Sequence, residues 1–98
     1  MRYKYSVIRS FKSADTEALA KGVRVRRFVG IAAVARRKLR QLEIAGRLDD
    51  LRVPPGNRLE ALRGDRFGQY SIRINDQYRI SFTWTENRPD EVEISDYD

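Results

Sequence analysis

The chain has 98 residues, the length of one small domain with a modest core and no room for a large ligand cavity. Hydrophobic residues make up 41% and charged residues 35%, which fits a folded, soluble chain. It contains no cysteine and no histidine, which excludes disulfides, thiolate catalysis, a histidine base and metal sites built on either residue. No cofactor and no metal is therefore expected. The net charge of +6 is unevenly spread. Residues 1–49 carry 13 basic and 4 acidic side chains, whereas residues 50–98 carry 7 basic and 10 acidic ones. Such asymmetry points to a polyanionic partner, although a solvated basic helix would have the same composition. No apolar run is long enough to span a membrane, and Met1–Val7 lacks the apolar core of a signal peptide. A cytoplasmic protein with no membrane partner is expected.

In chain order, Val7–Phe11 reads as a short first strand. Ser13 or Asp15 can cap a short helix through Leu19, with Gly22 ending it. A basic loop with Lys21, Arg24, Arg26 and Arg27 follows. The clearest helix runs from about Phe28 to Ala45. Phe28, Ile31, Ala32, Ala35, Leu39 and Leu42 recur at helical spacing and form its buried stripe. Arg36, Arg37, Lys38 and Arg40 cover much of the remaining surface, and Gly46 is the expected stop. Leu48–Leu51 forms a helical turn, and Pro54–Asn57 is a loop by its own chemistry. Arg58–Leu62 alternates as a strand, and Arg63–Gly68 is a turn.

The segment Gln69–Trp84 alternates apolar and polar residues on both sides of Asn75-Asp76-Gln77, the period-2 signature of a hairpin. Tyr70, Ile72 and Ile74 share one face with Tyr78, Ile80, Phe82 and Trp84. The opposite face carries Ser71, Arg73, Arg79, Ser81 and Thr83. A three-residue loop pairs Ile74 with Tyr78 and sets Arg73 opposite Arg79, a like-charge pair that costs about 0.2–1 kcal/mol. Either the two arginines hold an anion there, or they splay into water or pair with acids of another strand. Asn87–Asp90 is expected to turn, and Glu91–Tyr97 to form the last strand with Val92 and Ile94 inward. Residues 86–98 hold six acids and one base. Tyr97 has the opposite parity to Val92 and Ile94, which places it with Glu93 toward the arginine pair. An acidic edge strand also discourages aggregation with no further role. The expected fold class is α+β, with two N-terminal helices packed on one face of a small, mostly antiparallel sheet.

Several of these runs together resemble the HigB-type toxins of the RelE/ParE superfamily. They are Pro54-Pro55-Gly56-Asn57-Arg58-Leu59-Glu60-Ala61-Leu62, then Arg66-Phe67-Gly68-Gln69-Tyr70-Ser71-Ile72-Arg73-Ile74-Asn75-Asp76-Gln77-Tyr78-Arg79-Ile80, and Asp96-Tyr97. Ile8-Arg9-Ser10-Phe11 and Asp15–Leu19 also fit. The resemblance covers residues 7 to 98 and implies a single RelE-like domain over residues 1–98, with residues 1–6 as an N-terminal extension. It implies the toxin of a bacterial toxin–antitoxin pair, similar to small microbial ribonucleases, which cuts mRNA in the ribosomal A site and blocks translation. The implied partners are the ribosome, mRNA and a helix-turn-helix antitoxin of the HigA type. Operator DNA is engaged only through that antitoxin.

Metal-independent RNA cleavage needs a base for the 2′-hydroxyl, cations for the phosphoryl oxygens and an acid for the leaving oxygen. The resemblance carries the cationic role onto Arg79, less directly onto Arg73, and least directly onto Arg66 in the preceding turn. A guanidinium suits this role because its planar fork donates two hydrogen bonds and stays charged. Tyr97 is implied to stack on a base or donate a proton, and Asp96 is a weak base at its reference pKa of ~3.9. Arg36, Arg37, Lys38 and Arg40 would dock rRNA phosphates. Family members commonly end Asp-Tyr-His, but Asp98 stands at that last position here. A truncated, an altered and a naturally different chain are the alternatives. Catalysis is therefore expected to rely on charge stabilisation and positioning on the ribosome. Two other readings stand beside it: a catalytically impaired relative that binds antitoxin or ribosome without cutting, and a gyrase-inhibiting relative.

Overall fold

The hairpin loop is built by Asn75. In a computed structural model that describes residues 7–96, its Oδ1 accepts from the backbone N–H of Gln77 at 2.8 Å and of Tyr78 at 2.7 Å. This side-chain-to-backbone turn closes the loop without glycine. Ile74 N–H then donates to the Tyr78 carbonyl at 2.9 Å. The flanking strands are β2 (Gln69–Arg73) and β3 (Tyr78–Thr85), paired antiparallel with Arg73 opposite Arg79. The expected loop and register both hold. Met1–Ser6, Tyr97 and Asp98 lie outside the described residues.

Two further strands, β1 (Glu60–Ala61) beside β2 and β4 (Arg88–Asp96) beside β3, complete an antiparallel sheet of order β1-β2-β3-β4. β1 is shorter than the expected Arg58–Leu62, because Arg58 takes the left-handed conformation with φ 47° and cannot continue a ladder. The last turn also sits earlier than expected. Glu86 and Asn87 both have positive φ, 52° and 63°, between the closing pair Thr85 and Arg88. A two-residue loop of that kind matches the right-handed twist of its strands. Pro89, read from sequence as turn chemistry, instead lies in β4, opposite Trp84. Proline is tolerated there because β4 is an edge strand.

β4 is not regular. Thr83 pairs with Asp90 and Ser81 with Glu93, so Glu91 and Val92 together oppose Phe82. Glu91 has φ 50°, the mark of a bulge. Residues 7–11 dock against this irregularity. The expected first strand is reduced to one parallel bridge between Phe11 and Val92. Arg9 N–H donates to the Pro89 carbonyl and Lys12 N–H to that of Val92, while Ser10 accepts from Val92. The bulge breaks the even spacing a parallel ladder needs.

Two helices cover one face of the sheet. Helix α1 (Ala14–Ala20) starts at Ser13, whose Oγ accepts from Thr16 N–H at 3.1 Å. Gly22, at φ 88°, follows its last turn. The expected long helix is divided. Arg26–Ile31 is a 3-10 turn and helix α2 runs over Ala32–Ile44. The predicted stripe still faces inward: Phe28, Ala35, Leu39 and Leu42 join Leu19, Ile72, Ile80, Phe82, Val92 and Ile94 in one buried cluster. Phe28 packs edge-on against Tyr78, with centroids 5.9 Å apart, which ties the 3-10 turn to the hairpin. This is the expected α+β arrangement.

Candidate active site

The face of the sheet opposite the helices is polar and partly enclosed. Ser71 and Ser81 lie on it, yet each is only 1–2% exposed. Residues Gly64–Arg66 form a 3-10 turn that brings Arg66 back over this face. The Arg66 guanidinium donates to Gln69 Oε1 and to Ser81 Oγ, both at 3.0 Å. Ser81 Oγ in turn donates toward the Glu93 carbonyl at 3.4 Å. Arg79 projects from the same face of β3, two residues before Ser81, and Arg73 lies directly across from Arg79 on β2. The fold therefore gathers Arg66, Arg73 and Arg79, three of the residues the sequence singled out, on one surface.

On the other side of Arg79 stands Ser95 of β4. Its Oγ is buried and has no hydrogen-bond partner among the described residues. The Arg79 Nε is buried as well. Glu93, opposite Ser81, is a carboxylate of the same face. Asp96 has the other parity. It pairs with Tyr78, and its carboxylate accepts from Gln77 Nε2 at 3.3 Å, beside the hairpin loop. Tyr97 and Asp98 are outside the described residues. Arg73 also makes a short contact with Asp76, whose side chain is fully exposed. An ion pair so open to water adds little stability. No three acidic side chains gather to hold a metal ion among the described residues.

The basic cluster of α2 does not act as one surface. Arg36 is turned inward: its Nε donates to the Leu19 carbonyl at 3.1 Å and its Nη2 to that of Val23 at 3.3 Å. Those carbonyls lie in the last turn of α1 and just beyond it, so Arg36 joins the two helices. Arg37 and Arg40 are exposed. Lys38 points elsewhere, with Nζ donating to Oδ1 of Asn57. Asn57 is fully buried in the 3-10 turn Pro55–Asn57. Its Nδ2 faces Gln41 Oε1 at 2.8 Å and the carbonyls of Leu51 at 3.0 Å and Val53 at 3.4 Å. Burial lowers the proton affinity of the Lys38 ammonium, and the positive charges of Arg37 and Arg73 lower it further. Nothing in the residue pattern marks Asn57 beyond its place in a loop motif, and helical spacing alone groups Lys38 with its neighbours.

The model of the family described as "RelE-like toxin of type II toxin-antitoxin system HigB" matches residues 11–97. The chain belongs to the HigB-like toxin family. Toxin HigB-1 of Vibrio cholerae serotype O1 is 52% identical over 50 residues, covering 51% of this chain and 53% of the relative. An uncharacterized protein of Haemophilus influenzae is 41% identical over 54 residues, covering 55% of this chain and 54% of that protein. The chain thus spans about half the length of the curated relatives it matches. The RelE-like fold and the family expected from the sequence both stand. Among the described residues, no helix of this HigB-like toxin is long and apolar enough to cross a membrane.

Proposed function

We propose that this toxin is a ribosome-dependent endoribonuclease of the cytoplasm that cuts mRNA in the A site without a metal. The observation that carries this reading is the cross-strand pair Arg73 and Arg79, with Arg66 on the same face. Two guanidiniums set opposite each other across the strands offer paired donors suited to a phosphate. Guanidiniums fixed on strands stabilise the charge that develops on phosphoryl oxygens with little reorganisation. Arg79 is the principal cation, and Arg73 and Arg66 assist it. Asp96 ends β4, and it is assigned to the reacting nucleotide together with Tyr97 and Asp98. Arg37 and Arg40 suit rRNA phosphates, because both are exposed on one helix. An antitoxin of the helix-turn-helix HigA type is the proposed protein partner, and operator DNA is reached only through it.

The test is induction of the chain in bacteria lacking the antitoxin, with mapping of mRNA 5′ ends. In-frame cuts and growth arrest are expected, and both are expected to vanish in Arg79→Ala while the circular dichroism spectrum stays unchanged. Growth arrest that persists in Arg79→Ala would remove Arg79 from the catalytic role. A second reading is favoured by Asp98, which stands where family members carry histidine. Here the toxin binds its targets and does not cut. Intact mRNA with the native sequence, and cuts that appear with Asp98→His, would establish it.

A further inference from the structure

Lys38 lies on α2, yet its ammonium is not part of the exposed helix surface. Asn57 fixes it there. Because the Asn57 Nδ2 is committed to Gln41, Leu51 and Val53, the Oδ1 atom is left as an acceptor aimed at Lys38. The turn that carries Asn57 packs against β2, the strand of Arg73. β1 covers only the Ser71 and Tyr70 positions of that strand, which leaves its edge at Arg73 without a strand partner. The Asn57 turn thus holds Lys38 on the side of α2 toward β2, where the charge of Arg73 acts on it.

Arg37 of α2 and Arg73 of β2, the latter itself paired with the exposed Asp76, act on Lys38 with the same sign, and Asn57 and Gln41 bring only neutral amides. Among the described residues no carboxylate forms an ion pair with it. A partly buried ammonium beside two guanidiniums is disfavoured, and a bound anion would offset that repulsion. The ammonium has three donors, and Asn57 takes one. We propose that Lys38 binds an RNA phosphate together with Arg73, so that α2 supplies a cation to the arginine face instead of to the rRNA-docking surface of Arg37 and Arg40. The inference rests on the reading of that face as an RNA site, and it assigns Lys38 to a phosphate neighbouring the one held by Arg79.

The experiment measures binding of a labelled single-stranded 2′-O-methyl oligoribonucleotide, which cannot be cut, as a function of salt and pH. The full chain is compared with Lys38→Gln, Lys38→Arg and Arg79→Ala. Glutamine keeps a donor for Asn57 and removes the charge. The expected result is a salt slope reduced by about 0.7 in Lys38→Gln, the value for one phosphate on a single strand. Lys38→Arg is expected to retain the slope. It should also hold binding to higher pH than the parent, because the parent ammonium loses its proton below the usual lysine range. A merely structural lysine would not move that alkaline limb. If Arg79→Ala weakens binding and Lys38→Gln does not, the inference fails while the reading of the face stands. If Lys38→Gln and Arg79→Ala both bind as the parent does, or the parent itself does not bind, the face is not the RNA site and both fall. Equal loss in Lys38→Gln and Lys38→Arg with a lowered melting temperature would make Lys38 a structural partner of Asn57 only.

Discussion

On one face of the β2–β3 hairpin, Ile72, Ile80 and Phe82 are completely buried against helices. On the other face Ser71 and Ser81 are almost as deeply buried, but beneath arginines and neighbouring strands. The first face gains free energy from apolar area removed from water. The second gains little from burial and holds like charges close together. The contrast shows that enclosure and stability are separable here. One face makes the fold, and the other is kept polar and cationic at some expense to it.

Substitutions on the two faces should therefore differ in size and in kind. The largest effect is expected at Phe82, where Phe82→Ala leaves a cavity and destabilises by about 3–5 kcal/mol in urea unfolding. A near-neutral result would mean that the faces are assigned the wrong way round. Asn57→Ala comes next, at about 1–3 kcal/mol, because it strips a buried donor from the Leu51 and Val53 carbonyls. Chemical denaturation measures this, and the same variant should release Lys38. On the cationic face Arg73→Thr is expected to be neutral or stabilising by about 0.2–1 kcal/mol, since it removes the like-charge pair and keeps a good strand former. A clear loss of stability would show that the pair is compensated within the folded chain.

The smallest effect concerns acid. The Ser10 hydroxyl, helped by Glu91 N–H, Arg9 and Thr85, holds the Asp90 carboxyl below its usual value of 3.8, while burial opposes this. The unfolded chain thus binds a proton more readily than the folded one. The associated stability is present above the usual carboxylate range and is lost as pH falls through the folded value. Melting temperatures between neutral pH and about pH 2 should fall less in Ser10→Ala than in the parent.

Much of this was legible in the residues. Alternation over 69–84 gave the hairpin and its faces, and the stripe from Phe28 to Leu42 gave the side of α2 that packs. Both signals rest on periodicity, which burial enforces. What escaped depends on partners far away in sequence. Val7–Phe11 has the composition of a strand but meets a bulged edge. Glu86 and Asn87 turn with positive φ and no glycine, so Pro89 read as the turn when it is part of the strand. In the candidate site, Arg73 and Arg79 followed from register. Arg36 and Lys38 did not, because a long cationic side chain goes wherever the fold offers acceptors. For Arg36 these were carbonyls in the last turn of α1 and just beyond it, and for Lys38 the amide of a buried asparagine.

The bulge at Glu91 works as a gear tooth. Pro89 and Val92 are both buried although three positions apart, and only the extra residue lets each stay in phase with Trp84 and Phe82. Beyond it Ile94 faces the core and Ser95 faces Arg79. Ser10 clamps this point from the far end of the chain, its hydroxyl accepting from Glu91 N–H at 3.1 Å and donating to Asp90. If Glu91 were taken into the ladder as a regular residue instead of being bulged out, the rest of β4 would run one step out of phase. Every later side chain would change sides, with Ile94 meeting the arginines and Ser95 the core. The aim of the strand end that carries Asp96 is thus set five residues upstream and held by a serine at the opposite end of the chain.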